Sequence, residues 1–245
     1  LTGDSTSMKV MWISISPLAE PKVLYRLDSG ANEDDEWLSS AAITSTYTVP
    51  QNWWPGFYGT IYEADMVGLP ADSAVVYRVG GEGDGNEHFS QEFKFKTAPA
   101  IGADPNRPTR VAVMADQGTF MLLGFATQKK LSNVLAQMHI DWATVVGDLS
   151  YAGLSSAMPA LNISSEDEFE QLWDLYGVQS QGVAARVPWM VTPGNHERFY
   201  NFSAFRFRYK MPWQASGGSS DNFWYSYDYG SIHWVSVSSE HDLDD

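Results

Sequence analysis

Hydrophobic and polar residues alternate along this chain in two different rhythms. Up to about residue 98 apolar side chains return at every second position, in short runs. "KVLYRL" (22–27) puts Val23, Tyr25 and Leu27 on one face, and "AVVYRVGG" (74–81) does the same with Val75, Tyr77 and Val79. "EFKFKT" (92–97) alternates phenylalanine with lysine. Clusters of Gly, Pro, Asp and Asn separate these runs, and no 3.6-residue repeat competes with them. The pattern predicts an all-β sandwich over residues 1–98. Trp53, Trp54 and Phe57 in "QNWWPGFYG" suit packing in the core or between domains better than a carbohydrate platform.

Residues 99–108, with three prolines and a glycine, read as a linker, and beyond it the rhythm changes. "RVAVMAD" (110–116) is a nearly continuous apolar run of the kind covered on both faces. "FATQKKLSNVLAQM" (125–138) has helical spacing, with Leu131, Val134, Leu135 and Met138 on one stripe. "WATVVGD" (142–148) predicts a second buried strand and "VPWMVTPG" (187–194) a third. Between them, "SSEDEFEQLWDLYG" (164–177) predicts a helix opened by a capping box from Ser165 to Glu168. "NFWYSYDYGSIHWVSVSS" (222–239) predicts a hairpin turning near Gly230. Strands alternating with helices predict an α/β domain over residues 109–245.

Composition narrows what such a pair of domains can do. With 44% hydrophobic and 14% aromatic residues, the 245-residue chain can pack a substantial core. A formal net charge of −15 argues against nucleic acid as a partner, since that needs a basic surface. It also means that an anionic substrate would need positive charge from something other than side chains, which points towards a metal. No apolar run reaches the roughly 18 residues of a membrane span, so no membrane partner is expected. Cysteine is absent, which excludes disulfides and thiolate ligands but leaves a non-covalent homodimer open. Two Asn-x-Ser sequons, at Asn162 and Asn201, are compatible with glycosylation and the secretory route.

The candidate chemistry lies where the buried strands of the second half end. The first delivers Asp116-Gln117-Gly118, the second Gly147-Asp148 followed by Tyr151, and the third Gly194-Asn195-His196-Glu197. Ligands of α/β sheets bind beyond the carboxyl ends of strands, where the loops converge. A single Asp after a strand is usually a turn or cap residue. Three polar strand ends beside glycines would instead gather an oxygen-rich cluster whose mutual repulsion a cation relieves. Tyr151, three residues after Asp148 on one emerging turn, can reach the same point. His196 reads as a group aimed at whatever the metal holds.

In that order these three motifs resemble the first three metal motifs of the purple acid phosphatases, within the binuclear metallophosphoesterases. "YRVGG", "SQEFKFKTA" and the opening "LTGDSTSMKVMW" resemble the fibronectin-III-like domain that precedes the catalytic domain in long-form members. "NFSAFRFRYKMP" and "FWYSYDYGSIHWVSVSSEHD" resemble segments that follow the third motif. The resemblance implies an N-terminal all-β fibronectin-III-like sandwich followed by an α/β metallophosphoesterase domain of layered α/β/β/α type, of which only the N-terminal part is present. It implies that Asp116 and Tyr151 bind Fe(III), that Asp148 bridges to a divalent Zn, Mn or Fe(II), and that Asn195 binds this second ion. His196 would hydrogen-bond the phosphate or leaving group, and Glu197 would either support the site from behind or sit exposed on the surface. The implied reaction is acid hydrolysis of phosphate monoesters by a metal-bound hydroxide, in a secreted, vacuolar or lysosomal enzyme. The family's three remaining ligands, all histidines in later motifs, have no counterpart here, so the chain is expected to be a C-terminally truncated fragment. The competing expectations are a phosphodiesterase or nucleotide hydrolase, and a catalytically dead binding remnant.

Overall fold

The structure, a computed structural model, describes residues 1–29, 36–50, 55–119, 123–153, 168–217 and 221–240. The described residues of the first half form eight antiparallel strands in two sheets. One sheet has the order β1 (Met8–Ser14), β5 (Thr60–Met66), β4 (Ile43–Ser45). The other runs β3 (Leu38–Ala41), β2 (Ala19–Leu27), β6 (Ala74–Gly83), β7 (Asn86–Phe89), and β8 (Phe93–Lys96) also pairs with β6. The alternation explains the burial. Val23 and Tyr25 of β2, Val75, Tyr77 and Val79 of β6, and Phe93 and Phe95 of β8 share one core with Met66 of β5. Leu27, expected on the buried face of β2, is 44% exposed at the strand's last position.

In the second half β9 (Val111–Met114), β10 (Trp142–Val146) and β11 (Trp189–Thr192) form a parallel sheet with β10 in the centre. Alternate residues of β10 face opposite layers. Ala143 packs towards α1 (Leu123–Gln137) and α2 (Glu170–Ala184) through Leu131 and Val183. Trp142 packs against Tyr227 and Tyr229 of the hairpin β12 (Tyr225–Tyr229) and β13 (Ile232–Ser236), which turns at Gly230. The described layers are therefore helices, parallel sheet and hairpin, as the fold class expects.

Three sequence expectations need correction. The apolar run of β9 is not covered on both faces: Val113 is 60% exposed, so nothing among the described residues packs over that side of the strand. The α1 stripe is narrower than its spacing implied, with Leu131 buried but Val134 and Met138 exposed. Glu168 does not take the place in the first turn of α2 that the capping box expected of it. Glu168 is buried outside the helix and accepts the Trp173 indole N–H at 2.6 Å, and α2 begins only at Glu170. Ser165 lies outside the described residues, as do Trp53, Trp54 and Asn162. Phe57 packs between the domains, stacked 4.7 Å from the Tyr47 ring and under the Arg208 guanidinium at 4.6 Å.

That stack is part of a buried clasp. Arg208 closes α3 (Phe199–Arg208), an element the sequence pattern had not signalled. It donates to Tyr47 at 2.6 Å, to Asp174 at 2.8 Å and to Glu170 at 3.1 Å. The Tyr47 hydroxyl donates to Glu170 in turn. A charge this deeply buried is tolerable only when its donors are matched by acceptors, as they are here. Exposed Asn201 occupies a left-handed turn within α3, at φ 56°.

Candidate metal centre

The three parallel strands end level with one another. Val145 pairs with Met114 and Val146 with Thr192, and the ladder continues past the strands. The backbone N–H groups of Asp116, Gln117 and Gly118 donate to the carbonyls of Gly147, Asp148 and Leu149 at 3.2, 3.0 and 2.8 Å. Gly147 N–H donates to Thr192 at 3.0 Å. Loops that would otherwise diverge are thus held side by side, which brings the candidate ligands together.

Asp116, Asp148 and Tyr151 all have left-handed backbones, with φ of 52°, 53° and 54°. Asp tolerates this region and Tyr does not, at a cost of about 1–2 kcal/mol per residue. What the strain gives is a meeting point. The Tyr151 hydroxyl donates to Asp116 Oδ1 at 2.8 Å and lies 3.1 Å from Asp148 Oδ2. Burial raises the Tyr151 pKa, and its hydrogen bond to Asp116 and the two carboxylate charges raise it further. One phenolic proton is shared among three oxygens that belong to groups able to carry three negative charges.

The third motif packs against the second. The short 3-10 helix Asn195–Glu197 follows Gly194, and His196 N–H donates to Asp148 Oδ1 at 3.1 Å. The His196 ring lies 4.3 Å from that of Tyr151, and its Nδ1 is buried with no partner among the described residues. Asn195 is exposed at the same edge. Glu197 is 1% exposed, which corrects the surface alternative. Its carboxylate accepts three backbone N–H groups, from Asp148 at 2.9 Å, Leu149 at 2.9 Å and Gly194 at 2.7 Å. Burial, resisted by these N–H donors and aided by the Asp148 charge, holds its pKa up at about 7. Glu197 thus ties the second motif to the third through backbone.

Sequence reasoning missed a second tie. Gln117 is buried, and its Oε1 accepts the Tyr176 hydroxyl of α2 at 2.5 Å and Gln128 Nε2 of α1 at 3.1 Å. Both helices therefore brace the residue next to Asp116. In the sequence Tyr176 is one more aromatic residue of a predicted helix, with nothing to link it to Gln117.

The donor set fits hard cations. It offers two carboxylates and a phenol within hydrogen-bond distance, with an amide and an unpartnered imidazole nitrogen at the same edge. No three Asp, Glu or His side chains converge among the described residues, so any ion here depends on the Tyr as well. Close packing leaves little freedom. A Cβ on Gly194 would stand 2.2 Å from Asp148 Oδ1 and 2.6 Å from Asp148 N. Gly194→Ala should therefore displace Asp148 and weaken the binding of a cation at this edge by at least about tenfold, the scale of losses when groups orienting a ligand are changed. Metal titration of the variant checks this.

With this geometry described, comparison with known proteins gives it a lineage. Residues 109–244 match the calcineurin-like phosphoesterase family. Residues 1–97 match the purple acid phosphatase N-terminal domain. Purple acid phosphatase 18 of Arabidopsis thaliana is 30% identical over 251 residues, covering 100% of this chain and 48% of that protein. Probable purple acid phosphatase 20 of the same plant is 28% identical, covering 97% of this chain and 48% of its own length. The solved structure of purple acid phosphatase PPD1 from yellow lupin (Lupinus luteus) seeds has the same fold, with a TM-score of 0.79 over 99% of this chain and 44% of that one at 22% identity. The chain belongs to the calcineurin-like phosphoesterases. Its pairing of that domain with this N-terminal domain places it among the purple acid phosphatases. It spans about half the length of the curated relatives it matches.

Proposed function

We propose that this chain carries the Asp116, Asp148, Tyr151 and Asn195 ligands of a binuclear Fe(III)–divalent centre in an acid phosphatase acting on phosphate monoesters. The observation that supports it most is the single phenolic proton shared between Asp116 and Asp148, at 2.8 and 3.1 Å. A cation in its place would relieve both carboxylates and let Tyr151 act as a phenolate, a hard anionic donor suited to Fe(III). When bound, the two ions would supply Lewis acidity towards the phosphoryl oxygens and acidify a water for attack on phosphorus.

The chain's own residues do the rest. Asp148 presents two oxygens, one fixed by His196 N–H and the other facing Tyr151, so its carboxylate is oriented before any ligand arrives. His196 stands against the Tyr151 ring at the ligand edge, and its imidazole is the group assigned to give a proton to the departing alkoxide. Glu197 holds the turns on which both residues sit. Zinc, manganese and iron(II) are all compatible with the divalent position. The reading extends to the secretory route through exposed Asn201, a secreted, vacuolar or lysosomal setting.

Tyr151→Phe tests the ligand assignment. Iron-loaded protein should show a phenolate-to-iron absorption band in the visible, and the variant should lose it while keeping its far-UV circular dichroism. A variant that stays purple removes the basis for Tyr151 as the iron ligand.

A further inference from the structure

We infer, resting on the ligand set proposed above, that Gln117 is a positioning residue for the metal centre. Held by Tyr176 of α2 and Gln128 of α1, it fixes where Asp116 stands relative to Asp148 and Tyr151. Gln117 lies between Asp116 and Gly118, and both neighbours belong to the cluster. Asp116 Oδ1 accepts the Tyr151 hydroxyl at 2.8 Å, and a Cβ on Gly118 would meet the Tyr151 ring at 3.3 Å. The Gln117 N–H donates to the Asp148 carbonyl at 3.0 Å. Through its own backbone or a direct neighbour, this one residue therefore reaches the turns that carry three of the candidate ligands.

The side chain decides where that residue sits. Gln117 is 5% exposed although it follows a strand end, and Tyr176 and Gln128 are buried with it. Its Oε1 accepts the Tyr176 hydroxyl at 2.5 Å and Gln128 Nε2 at 3.1 Å, and its Nε2 lies 3.0 Å from Met114 Sδ at the end of β9. Both lone pairs of the amide oxygen are thus used, by donors from two different helices, so the oxygen has one place to be. An apolar side chain would fill the same space without the cost of burying an amide, so what the amide adds is a fixed direction. That direction matters because Asp116 holds a left-handed backbone, at φ 52°. Strain of this kind persists only where the surroundings over-determine it, and the anchored Gln117 supplies that constraint from the next residue.

The test titrates Fe(III) into the purified chain and follows the phenolate-to-iron band together with the binding constant. Gln117→Leu should weaken Fe(III) binding at least about tenfold, the scale for groups that orient a ligand, and shift the band. Tyr176→Phe should act in the same direction but less, since Gln128 still holds Gln117. The double variant should be no worse than Gln117→Leu alone, because both substitutions cut one connection. Tyr229→Phe is the control. It also removes a buried phenol, one that donates to Asp141 at 3.2 Å before the first residue of β10, the end away from the ligands, and it should leave band and affinity unchanged. Should Gln117→Leu fail to fold, Tyr176→Phe decides through the same band. Additive losses, a band and affinity that neither substitution moves, or an equal loss from Tyr229→Phe would each overturn the role of Gln117 while leaving the ligands in place. A wild-type chain that binds no Fe(III), or binds it without the band, would instead remove the ligand set and this role with it.

Discussion

Asp148→Asn should abolish the phosphatase activity proposed for this site while leaving the fold in place. The carboxylate has a different partner on each oxygen: Oδ1 accepts His196 N–H at 3.1 Å and Oδ2 faces the Tyr151 hydroxyl at 3.1 Å. An amide removes the charge but keeps the local hydrogen bonds: its oxygen can still accept His196 N–H, and its NH₂ can donate to the Tyr151 oxygen, whose one proton goes to Asp116. The variant therefore loses the charge that would bridge two cations while the turns around it stay in place. The expected fall in kcat/KM on p-nitrophenyl phosphate at acidic pH is more than about a hundredfold, beyond the 10–100-fold lost when only the surroundings of a ligand are changed. The melting temperature should move by only a few degrees, since the substitution also relieves the charge that presses on Glu197. Wild-type activity in this variant would end the assignment of Asp148.

The second large effect concerns stability. Glu197→Ala would leave three N–H groups, one buried at Leu149 and two part-buried at Asp148 and Gly194, without their acceptor. At about 1–3 kcal/mol for each orphaned donor, the loss amounts to several kcal/mol, a large fraction of the roughly 5–15 kcal/mol that holds a domain together. Glu197→Gln keeps the shape and one acceptor oxygen, so it should cost distinctly less. Urea unfolding midpoints should fall in the order wild type, Gln, Ala. An Ala variant as stable as wild type would mean that the two motifs are held together by something else.

Much of this was readable in the sequence, for identifiable reasons. Strand interiors are periodic, so Val75, Tyr77 and Val79 and the three parallel strands stood out, and the polar residue after each strand end was visible against that background. What could not be read depends on partners distant in sequence. The run from Phe205 to Lys210 alternates like a strand, yet α3 continues to Arg208, whose burial is made tolerable by Glu170 and Asp174. Glu168 looked like a capping residue, but Trp173 captures its carboxylate. Gln117 gained its importance only when Tyr176, 59 residues away, closed on it. The left-handed backbones at Asp116, Asp148 and Tyr151 had no signal beyond the neighbouring Gly118 and Gly147, because strain of this kind is imposed by the loops that meet there.

The clasp of Tyr47, Phe57, Arg208 and Glu170 makes the apparent modularity of the chain misleading. The sandwich looks interchangeable, yet it supplies the phenol and the ring that roof a guanidinium belonging to the other half. Grafting on a sandwich from an unrelated protein would let water onto that ion pair unless the graft brought equivalents of Tyr47 and Phe57. The two halves are thus bound to diverge in step, each substitution at this seam answerable to a residue in the other half.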